Sequence, residues 1–171
     1  VRVAVAGASG LLGAALQARL QAQGHTVVPI SRRPLPGGIR WDPERGELDA
    51  AALEGCDAVV NLAGARIAPA RWTEAHKRQV WESRVASTRL LSGVLARLRN
   101  PPRVFLSASA TGYYGSRPWE EVLDEDSAPG RGFLASLCVE WEAATSPARE
   151  AGVRTALLRT GPVLSSRGGF L

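Results

Sequence analysis

Residues 3–13, Val-Ala-Val-Ala-Gly-Ala-Ser-Gly-Leu-Leu-Gly, carry an apolar strand straight into glycines at 7, 10 and 13. With the amphipathic segment Leu11 to Gln23 behind it, this has the form of a dinucleotide-binding turn. Gly7 lets the strand end turn tightly, Gly10 lets the backbone approach a pyrophosphate, and Gly13 lets the helix lie close against the sheet. The helix N-terminus then offers free N–H groups and the positive end of its dipole to the phosphates. Gly7, Ser9, Gly10, Leu11, Leu12 and Gly13 are therefore the candidate phosphate-binding residues. Glycines also serve ordinary turns; the strand before them and the helix after them are what give the pattern its meaning.

The next strand, Thr26 to Ile30, ends in Ser31-Arg32-Arg33-Pro34. An acidic residue near this point accepts hydrogen bonds from a ribose 2′-hydroxyl, whereas arginine neutralises a 2′-phosphate. No acid occurs between Val1 and Trp41, and two arginines stand where one is expected. The cofactor expected is thus NADP (NADPH) in preference to NAD, with Ser31, Arg32 and Arg33 at the 2′-phosphate. The competing reading, two solvated residues in a chain with 20 arginines, stays open.

At 171 residues and 45% hydrophobic content, the chain has enough apolar material for one domain but not for a Rossmann domain plus a sizeable second one. It holds no run of 18 apolar residues, and its first residues already read as a core strand. A cytoplasmic protein with no membrane partner is expected. Cys56 and Cys138 match no paired metal spacing and read as buried thiols in a reducing compartment; His25 and His76 are isolated, so no metal site is expected. The charge of +5 and the isoelectric point near 10.2 raise nucleic-acid binding. The arginines are dispersed, however, and no basic run exceeds two residues, so nucleic acid is not the expected partner.

Along the chain the order is strand, helix, strand, irregular segment, strand, long helix, strand, loop, helix, strand. This predicts an α/β fold of the Rossmann type: a doubly wound parallel sheet with helices on both faces and right-handed crossovers. The expected strands are 1–6, 26–30, 58–62, 103–107 and 154–159, nearly continuous in apolar residues, as strands covered on both faces are. Trp41-Asp42-Pro43 and Gly46 interrupt the second crossover, leaving room for a short helix over 49–53. A helix over about 73–99 places Val80, Arg84, Ser87, Leu91, Val94 and Leu98 on one apolar-leaning face, and Pro101 and Pro102 end it. From Thr160 to Leu171 a loop is expected.

The Gly-x-x-Gly-x-x-Gly spacing resembles the extended and atypical short-chain dehydrogenase/reductases. Five further stretches narrow the likeness: Trp41-Asp42-Pro43, Asp57 to Gly64, Ser83-Arg84-Val85-Ala86-Ser87-Thr88, Ser107 to Gly115, and Arg159-Thr160-Gly161-Pro162-Val163-Leu164. With Phe133-Leu134-Ala135 and Trp141-Glu142, they resemble the NAD-dependent epimerase/dehydratase-like group over essentially the whole chain. The resemblance implies cofactor contacts from Leu62, Ala63 and Gly64, where small residues let the cofactor cross the sheet edge, and from Arg84, Ser107, Gly161 and Val163. It implies a small-molecule substrate and admits a homodimer, since two helices of the superfamily often form a dimer face. It also implies that the chain is the N-terminal, nucleotide-binding portion of a longer protein whose substrate lobe lies mainly beyond residue 171.

One departure from the family pattern matters for mechanism. Most of the superfamily uses a Tyr-x-x-x-Lys pair, in which lysine lowers the tyrosine pKa and holds the nicotinamide ribose. Counting back from Glu142, those two slots hold Leu134 and Cys138, and neither can replace the residue it stands for. The usual serine/threonine position falls on Ala110. Ser109, Thr111, Tyr113 and Tyr114 are then the candidate catalytic residues. Two readings follow: an oxidoreductase or nucleotide-sugar-epimerase-like enzyme with non-standard acid–base groups, or a non-catalytic NADPH-binding regulatory or scaffold module.

Overall fold

Val3, Val5 and Val60 point to one face of a parallel sheet, while Ala4, Ala6, Val59 and Phe105 point to the other, and each set meets its own helices. The computed structural model describes residues 1–67, 71–166 and 168–169. Arg2–Ala6 (β1) leads into helix Leu11–Ala22 (α1) and Thr26–Ser31 (β2); Ile39–Asp42 (β3) and Glu47–Leu48 (β4) follow. Ala58–Asn61 (β5), Glu74–Leu95 (α2) and Val104–Ala110 (β6) come next, then Phe133–Ala143 (α3), Ser146–Glu150 (α4) and Arg154–Thr160 (β7). Short 3-10 turns stand at Ala51–Leu53 and Thr111–Tyr114.

The seven strands lie in the order β4-β3-β2-β1-β5-β6-β7, parallel except for the β3–β4 pair. This is the doubly wound arrangement that the strand–helix alternation predicts. The chain leaves β1 toward β2 on one side and returns to β5 on the other. The crevice outside the carboxyl ends of β1 and β5 is therefore the topological switch point, where such sheets bind ligands. Leu16 and Leu20 of α1 pack on the Val3–Val5–Val60 face. On the opposite face α2 contributes Leu91, Val94 and Leu95, and α4 contributes Ala148. Among the described residues only α1 covers its face, and Leu158 on β7 stays 37% exposed there.

Three expectations need correction. The second crossover holds a β-hairpin instead of an irregular stretch: Trp41 pairs with Leu48, and Asp42 Oδ1 accepts from the backbone N–H groups of Glu44 and Arg45 to close the turn. Ile39 and Trp41 alternate inward with period two, a strand signal that Asp42-Pro43 obscures. The helix expected over 49–53 shrinks to the single 3-10 turn. Second, β6 runs on to Ala110, three residues past the expected end, so Ser107 and Ser109 are strand residues. Third, the expected terminal loop contains Leu164–Ser165 (β8) paired antiparallel with Gly168–Gly169 (β9); residues 167, 170 and 171 of that stretch lie outside the described residues. No helix among the described residues is long and apolar enough to cross a membrane.

Beyond α2 the chain is pinned by Glu54, whose carboxylate accepts from the backbone N–H groups of Arg99 at 2.9 Å and Asn100 at 2.8 Å. These two bonds hold its pKa below the ordinary value. A depressed folded pKa contributes stability that is present above the unfolded value and lost as pH falls through the folded one. Glu54→Gln is accordingly expected to be less stable than the parent at pH 7, with the gap closing as pH drops below about 4.5. Urea melts at pH 7 and pH 3 check this; a gap that does not change with pH contradicts it.

Candidate active site

Two close backbone approaches build the glycine turn. A Cβ on Gly7, whose φ is +78°, would lie 2.6 Å from the carbonyl oxygen of Leu62, so the exits of β1 and β5 touch at this residue. A Cβ on Gly13 would lie 2.1 Å from the Gly7 carbonyl oxygen, so α1 can sit this close only without a side chain there. Gly10 is the N-cap of α1; it caps with no side chain, and the first turn carries no acid. The N-terminal end of α1 therefore faces the crevice with its positive pole unneutralised. Ser9 and Gly10 are exposed, as is Leu12, with Leu11 half-buried.

Ala6 is in register with Ile30, which places the end of β2 beside this turn. Ser31 Oγ accepts from the Arg33 backbone N–H at 3.1 Å and shapes the loop. The Arg32 and Arg33 side chains are exposed, and among the described residues no carboxylate pairs with either. Arginine pair and glycine turn thus occupy neighbouring positions on one sheet edge.

One strand further, β5 ends in Asn61, fully buried, whose Nδ2 donates to Thr88 Oγ1 at 2.8 Å; the same oxygen accepts from Trp141 Nε1 at 3.0 Å. This ties β5, α2 and α3 together beneath Leu62, Ala63 and Gly64. Arg84, 9% exposed, reaches over them from α2. Its guanidinium donates to the carbonyls of Val80 and Ala65, both at 3.1 Å, and lies 5.3 Å from the Trp141 ring. Burial pulls its pKa below the ordinary arginine value.

The last part of the edge is β6 and its 3-10 turn. Ser109 and Arg159 are cross-strand partners on β6 and β7, and both point at Glu142 on α3. Ser109 Oγ donates to Glu142 Oε1 at 2.6 Å. Arg159 grips the same carboxylate with two bonds, Nε to Oε1 at 2.8 Å and Nη2 to Oε2 at 2.9 Å. The guanidinium also stacks 3.5 Å from the Tyr113 ring centre and donates to Tyr114 Oη at 3.0 Å. Chiefly the bond to Glu142 raises the Arg159 pKa further. Thr111 is exposed, its hydroxyl beside Gly161, where a Cβ would stand 4.0 Å away. Ser107 is fully buried, while Gly161 is exposed and Val163 half-buried.

Leu134 and Cys138 do face this turn. A Cβ on Gly112 would meet Leu134 Cβ at 3.5 Å and Cys138 Sγ at 3.8 Å. Burial pushes the Cys138 thiol pKa up, which makes it a poor proton carrier. A cleft of about 430 Å³ lined by Trp72, Gly112, Gly115, Arg131, Phe133 and Leu134 opens beside them. A hollow of about 480 Å³ near Glu54, Arg97 and Asn100 lies toward the amino-terminal strand ends and takes no part.

The structure thus gathers the sequence-derived candidates along one edge, from Arg32 and Arg33 through Gly7 and Gly64 to Thr111, and adds two that the sequence reading passed over. Glu142 and Arg159 organise Ser109, Tyr113 and Tyr114, although neither stood among the expected site residues. The available signals were an acid on the inward face of the apolar Phe133–Ala143 helix and an arginine in the inward register of a strand.

A doubly wound sheet with a glycine turn at its switch point defines a nucleotide-binding α/β protein. Residues 3–169 match the NAD-dependent epimerase/dehydratase family, and the chain belongs to it. An epimerase family protein of Mycobacterium bovis is 48% identical over 171 residues, covering 99% of this chain and 56% of that protein. The human epimerase family protein SDR39U1 is 38% identical over 174 residues, covering 100% of this chain and 57% of its own length. Among solved structures, isoform 2 of that human protein with NADPH superposes with a TM-score of 0.88 at 36% identity, over 99% of this chain and 57% of that one. A nucleoside-diphosphate sugar epimerase from Corynebacterium glutamicum superposes with a TM-score of 0.86 at 41% identity, over 100% of this chain and 36% of that one. The chain spans a little over half the length of these curated relatives.

Proposed function

We propose that the chain binds NADP(H) in preference to NAD(H), as part of an oxidoreductase or nucleotide-sugar-epimerase-like enzyme that works without the Tyr-x-x-x-Lys pair. The observation that carries the cofactor reading is the exposed pair Arg32 and Arg33, with no carboxylate partner among the described residues, one strand from a turn that a Cβ at Gly7 would fill. Gly7, Ser9, Gly10, Leu11, Leu12 and Gly13 would hold the pyrophosphate, and Arg32 and Arg33, with Ser31 shaping their loop, the 2′-phosphate. The structure of the human relative with NADPH supports the same choice. When bound, the nicotinamide supplies the hydride chemistry. Two buried free thiols, Cys56 and Cys138, suit a cytoplasmic setting.

For proton movement the reading rests on Thr111 and Tyr114. Arg159 donates to Tyr114 Oη, which leaves the phenol's own proton free to be donated to a substrate oxygen. Thr111 offers an exposed hydroxyl beside Gly161. The Ser109 hydroxyl is spent on Glu142 and Tyr113 is stacked under Arg159, so both position the others. The occupation of the usual acid–base slots by Leu134 and Cys138 favours a second reading, cofactor binding without catalysis, because the fold alone fixes no reaction.

Replacing Arg32 and Arg33 together by alanine is expected to weaken NADPH about ten- to a hundredfold, the worth of one exposed charge-assisted phosphate contact, and to leave NADH unchanged. Parallel calorimetric titrations measure this, and equal losses for both cofactors contradict NADP selectivity. For catalysis, NADPH oxidation against a panel of nucleotide sugars and carbonyl compounds is expected to fall in Tyr114→Phe and Thr111→Val. Tight NADPH binding with no turnover of any compound favours the binding module.

A further inference from the structure

The cleft of about 430 Å³ that opens where Gly112 and Gly115 meet the start of α3 is walled by rings fixed in place. Trp72 is 45% exposed, yet two rings hold it in edge-to-face contacts: Phe133, with centroids 5.7 Å apart, and His76, at 5.9 Å. His76 is itself tied down, its Nε2 donating to the Ile67 carbonyl at 3.0 Å, and Phe133 packs on Trp81 at 6.0 Å. The indole is therefore in position before any ligand arrives, which lowers the cost of ordering it on binding.

The rest of the lining is mostly apolar. Leu134, 40% exposed, stands in the wall where the family pattern calls for tyrosine, so no phenol hydroxyl is offered there. Among the described residues, Ser116 and Arg131 supply the lining's polar side chains besides the indole, and no acid belongs to it. Arg131 is exposed, and among the described residues no carboxylate pairs with it. A volume of this size suits a small molecule. A sugar ring seated here would turn several hydroxyls toward one serine and one guanidinium, and polar groups buried without partners are costly.

Resting on the reading of this sheet edge as the active site of a cofactor-dependent enzyme, we infer that the cleft takes a flat, mainly apolar substrate bearing one anionic group, an aromatic carboxylate in type, in preference to a nucleotide sugar. Its ring lies against Trp72 and Leu134, and its anion pairs with Arg131. An aromatic face accepts planar ligands with little regard to their substituents, while the forked donors of arginine match the two oxygens of a carboxylate. A nucleotide sugar brings a diphosphate with more charge than one guanidinium balances and a sugar with more hydroxyls than this lining satisfies.

The test is a set of calorimetric titrations of the chain saturated with NADPH, using 2-naphthoate, its uncharged methyl ester, acetate and UDP-glucose. 2-Naphthoate is expected to bind about tenfold or more tightly than each of the other three. Trp72→Ala is expected to weaken both naphthyl compounds about ten- to a hundredfold, the worth of one stacked ring, and Trp72→Phe to restore part of the loss. Arg131→Gln is expected to bring the acid down to the affinity of the ester, whereas Arg131→Lys keeps most of the preference. Both side chains are exposed, so their variants are expected to fold and to bind NADPH as the parent does. No binding of 2-naphthoate, affinity for it indifferent to Trp72→Ala, or tighter binding of UDP-glucose overturns the inference; where NADPH still binds, the cofactor reading stands. If NADPH does not bind, the cofactor reading falls, and the same probes titrated without it decide the ligand class.

Discussion

Glu142→Ala is expected to destabilise the protein by about 3–5 kcal/mol, the range for removing one partner of a buried ion pair. The side chains of Arg159 and Glu142 are only 16% and 10% exposed, and the carboxylate receives three hydrogen bonds, two from the guanidinium and one from Ser109. Its loss leaves a largely buried cation facing a cavity and a buried hydroxyl with no acceptor, and both penalties have the same sign. For a chain of this size the melting temperature is expected to fall by roughly 6–20 °C. Ser109→Ala removes one donor and leaves the pair intact, so about 1 kcal/mol is expected there. Replacing both charges, Glu142→Leu with Arg159→Met, is expected to recover most of the stability, because the cost lies in stranding one charge and not in losing the attraction. A Glu142→Ala loss below 1 kcal/mol, or a double variant worse than the single, would sink this account. The same double variant releases Tyr113 and Tyr114 from the guanidinium that holds them. Any turnover that depends on Tyr114 is therefore expected to drop even where stability returns.

This network also marks where sequence reading stops. The glycine turn and the arginine pair are legible because each depends on local chain geometry: a strand end, a helix start, a missing Cβ. Residues that share an edge through parallel register, such as Ala6 beside Ile30, follow from the strand order once the strands are found. Arg159 and Glu142 are different. They are 17 residues apart, on a strand and a helix, and only the β6–β7 register sets Ser109 and Arg159 side by side under α3. Nothing local in Leu-Leu-Arg-Thr distinguishes an inward arginine from a solvated one. The β3–β4 hairpin was hidden for a related reason. Its strands are four and two residues long, too short for a periodic signal, and what fixes them is the burial of Ile39 and Trp41 beside Leu53, a tertiary contact. Arg84 fell between these cases. Its place on the helix face was readable, whereas the absence of a carboxylate partner among the described residues appears only when everything packed around it is known.

Gly7→Ala and Gly24→Ala are expected to differ sharply, although the two glycines have nearly the same φ, +78° and +77°. An alanine in the left-handed region costs about 1–2 kcal/mol, and the loss of glycine's freedom in the unfolded chain offsets about 0.4–1 kcal/mol; both terms apply equally at the two sites. At Gly24 a Cβ meets nothing within 4 Å, so nothing more is added. At Gly7 it meets the Leu62 carbonyl oxygen at 2.6 Å, the Leu62 carbonyl carbon at 2.7 Å and the Ala63 nitrogen at 2.9 Å. All three are backbone atoms that no rotamer change can move. Relief requires the exits of β1 and β5 to separate, an overpacking cost of about 1–3 kcal/mol, and that separation opens the switch point itself. Gly24→Ala is therefore expected to lower the melting temperature by no more than roughly 6 °C and leave NADPH binding untouched. Gly7→Ala is expected to lower it by roughly 5–15 °C and to abolish measurable cofactor binding, because the same shift displaces the 62–64 backbone and the start of α1. Equal destabilisation at the two positions would mean that the β1–β5 approach is looser than 2.6 Å implies, and that the glycine at 7 serves the turn's φ alone.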